Sequence, residues 1–264
     1  MVRPDIFNSI GLQNQNTKIR SNSVVLNWGT EYANYRRSDL FRIIDHLISS
    51  QQDGDNELGR SWDHYFPWDA PTIKGQDNLK TSFISFLRFS YYRPRDIIMM
   101  LMIIQDIFKE ERNCDDFIPY RYFDNSTFKR RYSDYLLGEI KDHLIFYYSE
   151  EDYQVFLKFF EFLKGKRKFD FKEYNTIFNK FSNSLQSDNL KLPQFMSSDK
   201  VFLQFLYDLN VICYYDRPYR DKPYPRWCFI ERSYANISPR VKEDSDYEIF
   251  DGLYKALNLG QELS

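Results

Sequence analysis

Two arginines on either side of a proline, in Tyr92-Arg93-Pro94-Arg95-Asp96, are the strongest candidates for chemistry in this sequence. Proline is excluded from a helix interior but fits the first turn of a helix. Asp96 then lies at the helix start, where a carboxylate satisfies free backbone donors and suits the dipole. Residues 97–104 are all apolar, so we expect the helix that begins here to be buried on every side.

Arg93 and Arg95 would stand at the positive end of this helix, where a cation is costly unless it faces an anion. The anion could be a phosphate of a ligand. It could equally be a carboxylate of the chain itself, in which case the arginines would form a structural ion pair. Both interpretations are open at this point.

A second cluster of cations lies in the loop 216–226, which we call the basic wing. It contains four cations and two tyrosines, namely Arg217, Arg220, Lys222 and Arg226 with Tyr219 and Tyr224. Cations interleaved with aromatic rings can grip phosphates and stack on bases, so the basic wing is a candidate DNA-binding element. The helix before it would have to read the groove, yet its outward residues are Asp199, Lys200, Gln204 and Asp208. Two acids against one base on that face disfavour a phosphate backbone, and the alternative is a domain that packs against protein.

Other kinds of chemistry find little support in the sequence. No Gly-x-x-x-x-Gly-Lys-Ser/Thr segment is present, so the chain is expected not to hydrolyse ATP by itself. His46, His64 and His143 are far apart, with no cysteine or histidine at ligand spacing, so no metal site is predicted. A carboxylate set from Asp134 and Glu139 with Lys141 fails because Glu139 and Lys141, two apart on a predicted helix, do not share a face.

Composition indicates a globular chain with no overall attraction to polyanions. The 264 residues are enough for one large or two small domains, and 42% of them are hydrophobic. Thirty-six basic residues oppose 38 acidic ones, which gives no general pull towards nucleic acid or membrane. Three cysteines, no visible signal peptide and no apolar run long enough to span a bilayer predict a soluble, cytoplasmic protein.

Hydrophobic periodicity predicts a mainly α-helical fold. Helices are expected over 39–49, about 79–89, about 126–148, from 150 to Gly165, and after Asp170. Residues 23–28 are expected to be extended, and residues 51–80 to form an aromatic-rich loop. A third helix near 198–209 precedes two predicted strands, 211–215 and 227–230. Three helices followed by a hairpin is the order of a winged helix.

Several segments together resemble the C-terminal half of bacterial P-loop ATPases related to the STAND and AAA+ classes, which are often found in mobile or defence loci. Arg3-Pro4-Asp5-Ile6-Phe7 is similar to a late strand of the ATPase core, and residues 14–28 to the segment leaving it. Tyr92-Arg93-Pro94-Arg95-Asp96 resembles the arginine turn of the lid. Residues 205–212, 247–249 and 252–257 resemble the winged-helix end, so the likeness spans nearly the whole chain.

This resemblance implies three parts: a remnant of the ATPase core and linker at 1–28, a helical lid-like domain at 29–149, and a winged helix at 150–264. It implies that Arg93 and Arg95 sense nucleotide once the chain joins a P-loop core, which would bring ATP and Mg²⁺. The expected partner is that core, in the same protein or encoded by a split gene, or another protein. The Walker motifs are absent, so the chain resembles a truncated or split C-terminal portion. The alternative function is DNA binding through the basic wing.

Overall fold

A computed structural model describes residues 28–52, 57–75, 79–112, 114–188, 190–217, 222–233, 236 and 238–260, together with Thr17 and Val24. In these ranges the chain forms helices α1 Asp39–Ser49, α2 Arg60–Tyr65, α3 Ser82–Arg88, α4 Pro94–Glu110, α5 Tyr120–Phe123, α6 Ser126–Tyr147, α7 Glu150–Glu161, α8 Phe171–Ser187, α9 Asp199–Asp208 and α10 Cys228–Glu231. The strands are β1 Lys168–Asp170, β2 Ile212–Asp216, β3 Tyr224–Arg226 and β4 Asp246–Ile249. The predicted mainly α fold is confirmed. The core-like segment 1–28 and the strand predicted at 23–28 lie almost entirely outside the described residues.

Side-chain caps explain where most of the long helices begin. Ser38 accepts a hydrogen bond from the Phe41 amide, Asp170 from Glu173 and Ser198 from Val201. The cap of α6 was predicted at Ser126 but is Asn125, one residue earlier. The predicted loop 51–80 was also wrong in part, because α2 forms within it and inserts Trp62 into the core.

The four strands form one antiparallel sheet in the order β1-β4-β2-β3. Phe169 lies opposite Tyr247, and Cys213 lies opposite Glu248. Helix α7, strand β1, helices α8 and α9, and strands β2 and β4 therefore follow one another as in a winged helix. Residues 217–245, which we call the insertion, separate β2 from β4 and contribute β3 and α10.

The predicted strand 227–230 was wrong. The returning strand is β3, which forms the end of the basic wing, and residues 228–231 form the helical turn α10. Pro225 cannot donate to a sheet ladder, and it is tolerated because β3 is an edge strand. The Phe229 amide donates to Asn210 Oδ1 at 2.9 Å, which anchors α10 beside the end of α9.

One hydrophobic core extends across the predicted boundary between residues 149 and 150. Helix α6 packs against the turn at Asp251–Leu253, where a Cβ on Gly252 would lie 2.5 Å from Leu136 Cδ1. Ser133 Oγ accepts a hydrogen bond from the Ala256 amide at 2.8 Å. The helices before residue 150 and the sheet-containing part after it are thus packed together, while the predicted domain boundary stays a prediction.

Candidate functional site

Arg93 is bound to a carboxylate of its own helix. It is the residue before the first turn of α4, in extended conformation, with Pro94 as the first helical residue. Its Nε lies 2.9 Å from Asp96 Oδ2 and its Nη2 lies 2.6 Å from Asp96 Oδ1, which is a bidentate pair. The Asp96 side chain is fully buried. The anion that the sequence required for Arg93 is therefore a carboxylate in this structure.

Asp96 is further satisfied by groups outside its helix. The Tyr91 amide donates to Asp96 Oδ2 at 2.9 Å, so the carboxylate holds the turn that leads into α4. The Tyr135 hydroxyl on α6 lies 3.5 Å from Asp96 Oδ1. Burial, reinforced by the charges of Asp96 and Glu139, raises the pKa of Tyr135 to about 12, so this hydroxyl stays a neutral donor.

Arg95 has a different environment from Arg93. Its side chain is 59% exposed, and its Nη2 lies 2.5 Å from Glu139 Oε2 on α6. Arg93 Nη1 also reaches Glu139, at 3.4 Å. We call Arg93, Arg95, Asp96 and Glu139 the arginine cluster. Its formal charges cancel, and Arg95 is the member that presents its guanidinium to solvent.

The apolar helix behind the arginine cluster is less enclosed than predicted. Ile97, Met100 and Ile104 are buried, but Met102 is 52% exposed and Ile98 is half-buried. Helix α4 packs against α1, α3, α5 and α6, yet Met102 on it stays exposed among the described residues. The expectation of burial on every side was wrong because an apolar run records hydrophobicity and does not record how many neighbours a helix has.

Aromatic rings connect the arginine cluster to the insertion. We call Tyr91, Tyr92, Trp227, Phe229 and Phe250 the aromatic junction. The Tyr91 ring centroid lies 4.5 Å from that of Phe250, and Tyr92 lies edge-on to Phe229 at 5.4 Å. Tyr92 has a φ of 53°, which is a strained conformation for a residue with a side chain. The guanidinium carbon of Arg93 lies 5.1 Å from the centroid of the Tyr91 ring.

Two of the four cations of the basic wing, Arg217 and Arg226, are paired with acids. Arg217 forms an ion pair with Asp246, and Arg226 lies 3.3 Å from Glu231 and 3.6 Å from Asp216. Lys222 is exposed, and Arg220 lies outside the described residues. The structure thus brings Arg217 and Arg226 to the sheet, where acids offset their charge.

The end of the insertion contacts the outward face of α9 at Gln204 and Lys200. The Gln204 amide donates to Pro239 O at 3.0 Å and accepts from the Val241 amide at 2.9 Å. Lys200 Nζ lies 2.7 Å from Glu243. These contacts lie on the face that a winged helix would turn towards a DNA groove.

Glu231, the last residue of α10, holds this helix against α9 and β2. It accepts hydrogen bonds from the hydroxyls of Tyr207 at 2.9 Å and Tyr214 at 3.4 Å. Together with the Arg226 contact, this places a mostly buried carboxylate among three donors. Sequence reasoning missed Glu231, and it placed Gln204 on the outward face of α9 without finding its partners, since those partners lie far along the chain.

The described part of the chain gives little support for metal binding or for thiol chemistry. No group of three or more His, Cys, Asp or Glu side chains there could hold a metal ion. Cys213 and Cys228 are free and buried, and burial raises the pKa of the Cys228 thiol to about 12. Cys114 is free and exposed. None of the described helices has the length and apolarity needed to cross a membrane.

Comparison with protein-family models, curated proteins and solved structures found no match to this chain.

Proposed function

We propose that this chain is a lid and winged-helix regulatory module of a P-loop ATPase, and that it contacts protein partners. Arg95 is its nucleotide-sensing residue, acting when a P-loop core supplies ATP and Mg²⁺. The observation that carries this proposal is the exposure of Arg95: it stands at the start of α4 with 59% of its side chain open to solvent. Such a module would work in the cytoplasm.

Arg93 and Arg95 have different roles in this proposal. Arg93 is tied in a bidentate pair to a fully buried carboxylate, which suits a residue that shapes the turn. Among the described residues Arg95 forms an ion pair with Glu139, whose side chain is partly exposed, so it can exchange that carboxylate for a phosphate oxygen. The sequence assigned nucleotide sensing to both arginines, and we now assign it to Arg95.

The aromatic junction supports a regulatory role. A displacement of the turn at Tyr92 would shift Phe229 in the insertion, because the two rings are in direct contact. The insertion in turn contacts α9 through Gln204. A change at the nucleotide would therefore reach the surface of the winged helix through packed side chains.

The test joins this chain to a P-loop core encoded beside it in its genome and measures ATP turnover. We expect no turnover above background from the chain alone, and Arg95→Ala to lower turnover of the joined protein by about a hundredfold or more. Arg121→Ala, which removes another exposed arginine on α5, is the control and should leave turnover unchanged. The proposal is overturned if no P-loop core lies nearby, or if Arg95→Ala behaves like the control.

DNA binding through the basic wing is the alternative function. It has less support, because Arg217 and Arg226 are paired with acids and because the insertion contacts the outward face of α9 at Gln204. A wing that grips DNA would lose two phosphate contacts in the double variant Arg217→Ala/Lys222→Ala.

We expect that double variant to leave the affinity for a DNA duplex at about 0.15 M salt unchanged within about twofold. Fluorescence anisotropy with a labelled duplex measures the affinity. Removal of most of the binding, with a salt dependence that falls by about two phosphate contacts, would instead establish the alternative.

A further inference from the structure

Five exposed cations lie within nine residues, between the end of α7 and the first turn of α8. They are Lys164, Lys166, Arg167, Lys168 and Lys172, and we call them the basic turn. The segment 164–173 contains only two acids, Asp170 and Glu173. In a chain whose net charge is −2, this is a strong local concentration of positive charge.

Two of these cations occupy positions that local structure disfavours. Lys172 is the second residue of α8, a helix of 17 residues, and it therefore lies where the helix dipole favours an acid. Lys164 has a φ of 50°, directly before Gly165 at 81°. Departures from local preference are expected where a residue serves a function.

Protection of the sheet edge explains only one of the five. Lys168 lies in β1, an edge strand, where lysine discourages pairing with another chain. Lys168 and Lys166 also contact Glu248 and Glu173, and Arg167 stacks over Tyr254 at 4.1 Å. Among the described residues, Lys164 and Lys172 form no ion pair, so their charges are directed to solvent.

A cleft beside the basic turn shows which part of this surface could bind a phosphate. This cleft of about 190 Å³ is lined by three cations and three acids, namely Lys172, Arg217 and Lys242 with Asp170, Asp244 and Asp246. Balanced charge makes this cleft a poor site for phosphate. The excess of positive charge lies on the basic turn itself.

We infer that the basic turn binds the sugar-phosphate backbone of nucleic acid without reading its sequence. Lysines act as point charges towards phosphates and give affinity that does not depend on base identity. Rings accompany the cations, since Lys168 lies 5.5 Å from the Tyr215 ring and Arg167 stacks on Tyr254. A membrane is disfavoured because Phe169 is buried and Phe171 is half-buried, which leaves no apolar anchor in the turn. Lys172 lines the same cleft as Arg217 of the basic wing, so these two surfaces adjoin, whereas no residue of the arginine cluster lines that cleft.

The experiment compares Lys164→Glu/Lys172→Glu with a control of equal charge change, Lys109→Glu/Lys191→Glu, in which both lysines are exposed elsewhere. Anisotropy of a labelled DNA duplex is measured at about 0.05 M and about 0.15 M salt. We expect the first variant to bind about tenfold more weakly at the lower salt, with a salt slope reduced by about 2. The control should match the wild type.

Circular dichroism checks that both variants are folded, and an acid at position 172 should not destabilise α8. If Lys164→Glu/Lys172→Glu is unfolded, Lys164→Gln/Lys172→Gln replaces it, and a loss of affinity greater than the control supports the inference. Equal DNA binding by variant and control overturns it. Charge-dependent binding to poly-glutamate or to phosphatidylserine vesicles, with no binding to DNA, overturns it as well.

Discussion

Arg93→Ala is expected to lower the free energy of unfolding by about 3–5 kcal/mol, the largest effect of any change at the arginine cluster. The reason is that the Asp96 carboxylate would remain in the protein interior without its cationic partner. Asp96 is fully buried, and both of its oxygens would lose the guanidinium that binds them. The Tyr91 amide and the more distant Tyr135 hydroxyl carry no full charge and cannot compensate for that loss. Chemical denaturation of the two proteins measures the difference.

Arg95→Ala is the matched control for this experiment. The Arg95 side chain is 59% exposed, so its ion pair with Glu139 should contribute about 1 kcal/mol or less. A loss of less than about 1 kcal/mol in Arg93→Ala would contradict the structural role of Arg93. A loss above about 3 kcal/mol in Arg95→Ala would make both arginines structural and remove the proposed nucleotide sensor.

Glu231→Ala is expected to destabilise the protein by about 2–4 kcal/mol. Its carboxylate receives hydrogen bonds from Tyr207 and Tyr214 and an ion pair from Arg226. The Tyr207 side chain is fully buried, so its hydroxyl would be left without a partner. Because α10 ends at Glu231, the insertion should loosen over α9 at the same time.

Amide hydrogen exchange distinguishes this local effect from general instability. The Val241 amide, which donates to Gln204, should lose protection in Glu231→Ala more than amides of α6 do. Glu231→Gln keeps an acceptor of the same shape and should restore part of the stability. Equal loss of protection across the chain would show that Glu231 contributes only to overall stability and does not hold the insertion.

Much of the local structure follows from the sequence alone. The caps at Ser38, Asp170 and Ser198 are each a polar side chain placed before an apolar periodic segment, and such signals lie within one turn of the helix that they start. The proline at position 94 likewise marked the start of α4. The mainly α fold and the strand β2 follow from periodicity of the same short range. The strand expected at 227–230 failed because a short apolar run is compatible with either helix or strand.

The partners of the candidate site were decided by tertiary structure. The sequence required an anion for the arginines, but it did not determine whether this would be Asp96, Glu139 or a phosphate. Glu139 meets Arg95 only because α6 packs against α4, and Gln204 is covered only because the insertion returns over α9. Such contacts join residues far apart in the chain, and their energy depends on packing that no local spacing encodes. The sequence by itself therefore determined where helices begin and where cations concentrate, whereas the fold alone decided which of those cations are neutralised and which stay exposed.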